Sequence, residues 1–236
     1  EQLAEGYNLT WMTTWFFLLS ALAHGLIVVG NYTTGMASSD ETDKHTITWR
    51  IVNGGWYWAW IQDCKQPARW VEYSFSASLM IITISVASGV THVYMIWSIF
   101  TLMWCTMCFG YYTEVTSKAE PTGSERPQLW AWRAKDGSGW GNYLLWKAWR
   151  LSAHVLGYVP YTCVWVILMH SFYSNTEGGG PPDFVYAIVW GQFALFTGFG
   201  ATQLLNQWRE DGPWWYWRGE LSYLVLSLVS KGVLGL

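Results

Sequence analysis

The chain contains little charge. Only 12% of its 236 residues are Asp, Glu, Lys or Arg, while 52% are hydrophobic, and a soluble domain normally carries about 25% charged residues. The charge is also segregated, because residues 9–30, 151–173 and 184–208 contain none. Each of these stretches reaches the roughly 20 apolar residues that a membrane-spanning helix needs. The shortage of charge therefore argues against a soluble domain and predicts a helical membrane protein.

Several functional patterns are absent. The sequence has no hydrolase triad pattern, no HExxH zinc helix and no phosphate-binding glycine loop, so we expect no enzyme. A net charge of −3 argues against nucleic-acid binding. Cys105 and Cys108 permit a metal or redox site, but packing is favoured and we expect no metal. No signal-peptide pattern precedes the first span and the chain ends while still apolar, so we expect further segments at both ends.

The remaining apolar stretches complete a predicted bundle. Residues 70–112 contain one charge, Glu72, and are too long for one crossing, so we expect a helical hairpin that turns at residues 88–92. Residues 221–236 form a last span. We predict an all-α membrane protein that is one transmembrane domain over residues 1–236, with spans at about 9–30, 68–88, 91–112, 149–173, 184–207 and 217–236 and cytoplasmic connectors at 31–67, 113–148 and 208–216.

The basic residues predict the orientation of this bundle. Every Lys and Arg except Lys231 falls on one side of the predicted membrane, Arg69 included. The opposite side has the short turn near Gly89 and the acidic loop 175–183. Because basic loops face the cytoplasm, we expect the C-terminal end of the Lys231 helix to lie on the outer side.

Lys231 is the only charge in residues 221–236. A lysine within a span is costly and indicates a function by default. It can extend to the interface, pair with a carboxylate, relay protons or form a Schiff base with a carbonyl ligand. Glu72 is the candidate partner, because a buried carboxylate also needs a cation or hydrogen bonds. Apart from Glu72, we expect no intramembrane carboxylate that could donate a proton.

Polar residues near these two groups repeat a helical spacing. Ser76 follows Glu72 by four residues, Ser227 precedes Lys231 by four, and Ser20 precedes His24 by four. Each pair shares a helix face, so the three faces are predicted to line one cavity. The alternatives are serine hydroxyls bonded to their own helix and an interhelical histidine.

Four stretches resemble one family. Residues 70–81, WVEYSFSASLMI, resemble the third helix of the heliorhodopsins, and residues 216–231, YWRGELSYLVLSLVSK, resemble their retinal-binding seventh helix. Residues 19–24, LSALAH, are similar to the family's second helix, and residues 184–186 open a segment similar to its sixth. The resemblance implies a seven-helix rhodopsin-like bundle of which this chain shows six transmembrane helices, in the inverted topology that the basic loops predict.

The resemblance also implies a chromophore. All-trans retinal would be joined to Lys231 as a protonated Schiff base with Glu72 as its counterion. Ser76 and Ser227 would be hydrogen-bonding neighbours, and Ser20 and His24 members of a polar cavity beside it. Aromatic residues expected to contact retinal are Trp70, Tyr73, Tyr161 and Phe196, with Tyr161 standing where a Trp is expected; plain core packing is the alternative for these four.

The function implied is light sensing with a signalling or regulatory output. The alternatives are a light-gated proton conductance on the same chromophore and a non-retinal membrane transporter. The family resemblance further implies a homodimer, and the cytoplasmic loops suggest a signalling partner. One expectation conflicts with the rest: counting along the spans separates Glu72 from Lys231 by about 20 Å in depth. Tilted helices or a lysine that leans toward its helix N-terminus would close part of that gap.

Overall fold

The computed structural model describes residues 9–37, 55–116, 150–174, 183–208 and 213–235. The described residues form α1 Leu9–Ala37, α2 Trp56–Gln62, α3 Pro67–Ala87, α4 Val93–Thr116, α5 Ser152–Ser174, α6 Asp183–Trp208 and α7 Pro213–Gly235. The predicted all-α bundle is confirmed. The remaining parts of the predicted connectors and of the acidic loop 175–183 lie outside the described residues.

Five of the helices, α1, α3, α4, α5 and α6, are long and apolar enough to cross a membrane. The length of α7 is similar, at 23 residues, but it is less apolar because it carries Arg218, Glu220 and Lys231. The large hydrophobic side chains left exposed on α1 and α7, such as Leu22, Leu26 and Leu228, are of the kind that lipid accommodates.

The predicted connector 31–67 contains helical structure. Helix α1 continues through Ala37, and α2 is a seven-residue helix that the sequence analysis had assigned to the connector. Trp56 packs on Trp60 with ring centroids 4.3 Å apart, and the Trp56 ring lies against Gly30 of α1. The Tyr57 amide donates to Asn31 Oδ1 at 3.2 Å. The aromatic run is therefore an element docked onto α1.

A tight turn joins α3 to α4 at the residues where the sequence predicts one. Gly89 has a φ of 89°, a conformation that side chains with a Cβ rarely adopt. The Val90 amide donates to the Ser85 carbonyl at 2.9 Å and the Gly89 amide to the Val86 carbonyl at 3.0 Å. These two bonds are the Schellman pattern that satisfies the last carbonyls of a helix. The turn makes α3 and α4 antiparallel neighbours.

Helix α3 is the most buried of the five apolar spanning helices although it is rich in serine. It packs against both α1 and α4. Its serine hydroxyls bond within the helix: Ser78 donates to the Ser74 carbonyl at 2.6 Å and Ser85 to the Ile81 carbonyl at 2.7 Å. Such bonds satisfy buried hydroxyls in an apolar core. Fully buried apolar side chains around α3 include Ile81, Ile84, Ile99, Met103, Val164 and Leu168.

We expect Gly110→Ala to destabilise the packing of α3 on α4. A Cβ at Gly110 would overlap the Trp70 ring, which cannot turn away freely because its Nε1 donates to Glu114 at 2.7 Å. Overpacking of this kind costs about 1–3 kcal/mol. The measurement is thermal unfolding in detergent. Gly25→Ala is the matched control, since nothing lies within 4 Å of its added Cβ, and an equal loss in both variants would contradict the packing argument.

Candidate functional site

The centre of the site is a buried ion pair between α3 and α7. Lys231 Nζ lies 2.8 Å from Glu72 Oε1 and 2.6 Å from Ser20 Oγ on α1. The lysine and glutamate side chains are only 7% and 4% exposed. Each charge is therefore compensated by the other, as a buried pair requires. Three residues taken from three separate spans, Ser20, Glu72 and Lys231, meet at one nitrogen atom.

The expected separation in depth between Glu72 and Lys231 is wrong. Tyr73 donates from its hydroxyl to the Tyr223 carbonyl at 3.3 Å, so the first turns of α3 lie beside the middle of α7 and the two helices are staggered. Lys231 follows Tyr223 by eight residues, or about 12 Å at helical rise. A lysine side chain leans toward the N-terminus of its helix, so it reaches back to Glu72.

An apolar cavity extends from Lys231 between α3, α4, α5, α6 and α7; we call it the Lys231 cavity. The four aromatic residues predicted from the sequence all line it, as do both of the neighbouring serines: Trp70, Tyr73, Tyr161, Phe196, Ser76 and Ser227. All six are buried. The structure therefore brings most of the predicted site residues together around the amine.

A separate cleft lies between α1, α2, α3 and α7, and we call it the His24 cleft. Its walls include His24, Gln66, Arg69, Glu72 and Glu220. His24 Nδ1 is 2.7 Å from the Ser20 carbonyl one turn earlier. The expectation of a single polar cavity is thus wrong: Glu72 lines the cleft and Lys231 lines the other cavity, so their ion pair stands between the two.

Tyr161 differs from the tryptophan expected at its position because it carries a hydroxyl. That hydroxyl lies 2.7 Å from Thr197 Oγ1 of α6, and the ring packs on Trp165 with centroids 6.3 Å apart. The pair links α5 to α6 at the wall of the Lys231 cavity. A tryptophan would fill more of the cavity and would place its single donor elsewhere.

A second buried ionic group, which the sequence did not predict, consists of Arg69, Glu114 and Glu220; we call it the Arg69 cluster. Arg69 forms ion pairs with both glutamates, and the side-chain exposures are 6%, 0% and 10% in that order. Two expectations are corrected here. Arg69 belongs to the interior of the bundle and not to a basic loop face, and Glu72 is not the only carboxylate inside.

The cause of this omission is partly visible in the sequence. Arg69 precedes Glu72 by three residues and shares its helix face, which was a usable signal. The predicted span ended at residue 112, and this placed Glu114 in a connector. In the structure α4 continues to Thr116. Glu114 and Glu220 are 106 residues apart in the sequence. No sequence pattern indicates that both approach the same guanidinium.

A buried amide next to Lys231 was also missed. Gln192 Nε2 donates to the Ser230 carbonyl at 2.8 Å, and Ser230 Oγ donates to Gln192 Oε1 at 2.7 Å. The two residues are 0% and 1% exposed. These two hydrogen bonds join α6 to α7 at the helical turn that carries Lys231.

The heliorhodopsin family model matches residues 41–132 and 142–236. The chain belongs to the heliorhodopsin family. The match confirms the resemblance found in the motifs on α3 and α7, and it begins after α1. No curated protein matches the chain.

Membership makes the chain a retinal-binding photoreceptor and an integral, multi-pass membrane protein; heliorhodopsins are light-sensing proteins and not an enzyme family. The residues present fit a retinal. A primary amine, Lys231 Nζ, belongs to the lining of a largely apolar cavity with several aromatic rings, and a buried carboxylate lies beside it to balance positive charge. Retinal supplies light absorption and isomerisation, and the protein supplies attachment, shape and charge.

Proposed function

We propose that this heliorhodopsin is a sensory photoreceptor that carries all-trans retinal on Lys231 as a protonated Schiff base. The observation that supports this assignment is the position of Lys231 Nζ: it faces the aromatic-lined Lys231 cavity and is 2.8 Å from Glu72. The apolar and aromatic lining suits a linear polyene, and the amine is the only one that the described residues direct into the cavity.

The surrounding residues hold the charge and the proton at Lys231 Nζ. Glu72 is the counterion, and it is also the carboxylate placed to accept the proton when light makes it leave. The Ser20 hydroxyl accepts a hydrogen bond from Nζ at 2.6 Å. Together with Glu72 it stabilises the positive charge on this nitrogen. Ser76 and Ser227 supply hydroxyls on the cavity side. Transient loss of the proton would change the charge distribution within the bundle. This change in charge is the signal that we propose.

The output that we propose is a change at the cytoplasmic face that a partner or enzyme detects. We further propose that the basic loops are cytoplasmic, that the Lys231 helix ends outside, and that the protein is a homodimer. Basic loops of membrane proteins generally stay in the cytoplasm. The second candidate is a light-gated proton conductance, and the His24 cleft favours it, because the cleft reaches Glu72 and Glu220 together.

Voltage clamp of cells that express the chain with retinal separates these two outputs. We expect no sustained light-driven current from the wild-type protein. A current that is present in the wild type and lost in Glu72→Gln would instead establish the conductance and contradict the sensory proposal.

Glu72→Gln should also shift the visible absorption to longer wavelength or remove the proton from the Schiff base. The carboxylate concentrates the positive charge at the nitrogen, and a neutral amide does so less. Absorption spectra of the purified variants are the measurement. Glu72→Asp is the control, because it keeps the charge and should retain a band near the wild-type position. An unchanged spectrum in Glu72→Gln would remove Glu72 from the counterion role.

A further inference from the structure

The Arg69 cluster contains more negative than positive groups. Two carboxylates, Glu114 and Glu220, contact one guanidinium. Of the other cations among the described residues, Lys231 is paired with Glu72, Lys65 with Asp63, Arg150 contacts the Gln207 carbonyl and Arg218 is exposed. A buried, uncompensated carboxylate is costly, and two carboxylates that share a site do not both ionise readily. Other titratable or charged groups lining the cleft that Glu220 borders are His24, Tyr32, Tyr57, Glu72, Tyr73 and Tyr223.

Glu114 is the better stabilised anion of the two. Both of its oxygens accept hydrogen bonds: Oε1 from Arg69 and from Tyr216 at 2.9 Å, and Oε2 from the backbone N–H of Gln66 at 3.2 Å and from Trp70 Nε1 at 2.7 Å. Four donors directed at one carboxylate satisfy both of its oxygens as hydrogen-bond acceptors. Glu114 is therefore the anion that balances the positive charge of Arg69.

Far fewer donors among the described residues contact the carboxylate of Glu220. Within the described part of the chain, Glu220 Oε1 forms an ion pair with Arg69 Nη1 but accepts no hydrogen bond. It also borders the His24 cleft. Both side-chain polar atoms of Gln66, which is 1% exposed and lines the same cleft, have no hydrogen-bond partner among the described residues. The cleft thus contains polar groups that can bond to water or to a carboxylic acid.

We propose that Glu220 is a neutral carboxylic acid in the dark protein and a second proton-carrying group, coupled to Glu72 through the His24 cleft. The coupling part rests on the proposed photoreceptor function. The cleft has a volume of about 460 Å³, which is many times the roughly 30 Å³ that one water occupies. Waters in it can connect the two carboxyl groups.

When light makes the proton leave Lys231 Nζ, the N–H bond breaks and an O–H bond forms on Glu72. Glu72 then no longer places a negative charge at the cleft, while Arg69 keeps its positive charge. Nζ loses its positive charge in the same transfer, but it lines the other cavity, whereas Glu72 and Glu220 line the same cleft. The lost charge of Glu72 therefore acts more strongly on Glu220 and favours its ionised form: the O–H bond of Glu220 breaks and a water in the cleft takes up the proton. Return of a proton to Glu220 accompanies recovery of the Glu72–Lys231 pair.

Thermal unfolding of Glu220→Gln and Glu114→Gln tests which glutamate holds the proton. Glutamine closely resembles a neutral glutamic acid but not an anion. We expect Glu220→Gln to unfold within about 2 °C of the wild type, and Glu114→Gln to unfold roughly 6 °C or more below it. The opposite order would assign the proton to Glu114 and overturn the proposal. Equal losses would mean that both glutamates are ionised and would overturn it as well.

Infrared spectroscopy of the retinal-free, full chain provides a direct readout that does not depend on the chromophore. A carboxylic-acid carbonyl band should be present in the wild type, absent in Glu220→Gln and retained at a shifted position in Glu220→Asp. A wild-type protein without this band would refute the neutral Glu220 even if retinal binds normally. Failure of retinal to bind, with the band present, would count against the photoreceptor function alone.

Light-minus-dark infrared spectra of the retinal-loaded protein test the coupling. The Glu220 band should decrease on illumination in the wild type and stay constant in Glu72→Gln. A band that illumination leaves unchanged in the wild type would overturn the coupling.

Discussion

Lys231→Ala should abolish the visible absorption band that forms when retinal is added to membranes containing this protein. The Schiff base needs a primary amine, and Lys231 provides the amine that lines the Lys231 cavity. Alanine also leaves the buried Glu72 without its cation, which costs about 3–5 kcal/mol when one member of a buried pair is removed. The expected result is loss of the band together with reduced thermal stability.

Lys231→Arg separates those two effects. Arginine keeps a positive charge beside Glu72 but stays protonated and does not form a Schiff base. The band should disappear in this variant while more of the stability is retained than in Lys231→Ala. Absorption spectra and thermal unfolding of both variants with the wild type are the measurements. A visible band that survives either substitution would exclude Lys231 as the attachment site and would return it to ion pairing alone.

Arg69→Gln should cause the largest loss of stability among single substitutions outside the Lys231 site. Arg69 is 7% exposed and is the cation for Glu114, whose side chain is 0% exposed. Its guanidinium also lies over the Tyr223 ring, 4.0 Å from the ring centroid. Removing it leaves a buried anion unpaired, at a cost of about 3–5 kcal/mol, or roughly 6–20 °C in the unfolding temperature of a chain of this size.

Arg218→Gln is the matched control for Arg69→Gln. Arg218 is exposed on α7 and lies 5.8 Å from the Trp214 ring centroid, so its loss should change the unfolding temperature little. Thermal unfolding of the two variants in the same detergent measures the difference. Equal effects would show that the buried Glu114 does not depend on the charge of Arg69. Arg69→Gln should keep a visible band if it folds, because Lys231 and Glu72 remain.

The sequence by itself determined the class of the protein and most of the residues near the amine. Uncharged stretches of about 20 residues or more have few stable forms other than membrane helices, so the bundle followed from composition. Lys231 and Glu72 were identified because isolated charges in apolar segments are costly and therefore conspicuous. The spacing of four residues placed Ser76 and Ser227 on the same faces as these charges, since helix geometry is local.

Only the tertiary structure decided which groups meet. The stagger of α3 against α7, which brings Glu72 to Lys231, depends on packing between helices and not on residue counts along either one. The division into the Lys231 cavity and the His24 cleft has the same origin. Glu114 fell in the predicted connector 113–148 and Glu220 in the predicted span 217–236, and their convergence on Arg69 requires three helices to be in place. Sequence periodicity predicts which residues share a helix face, but the packing of the whole bundle determines which faces are in contact.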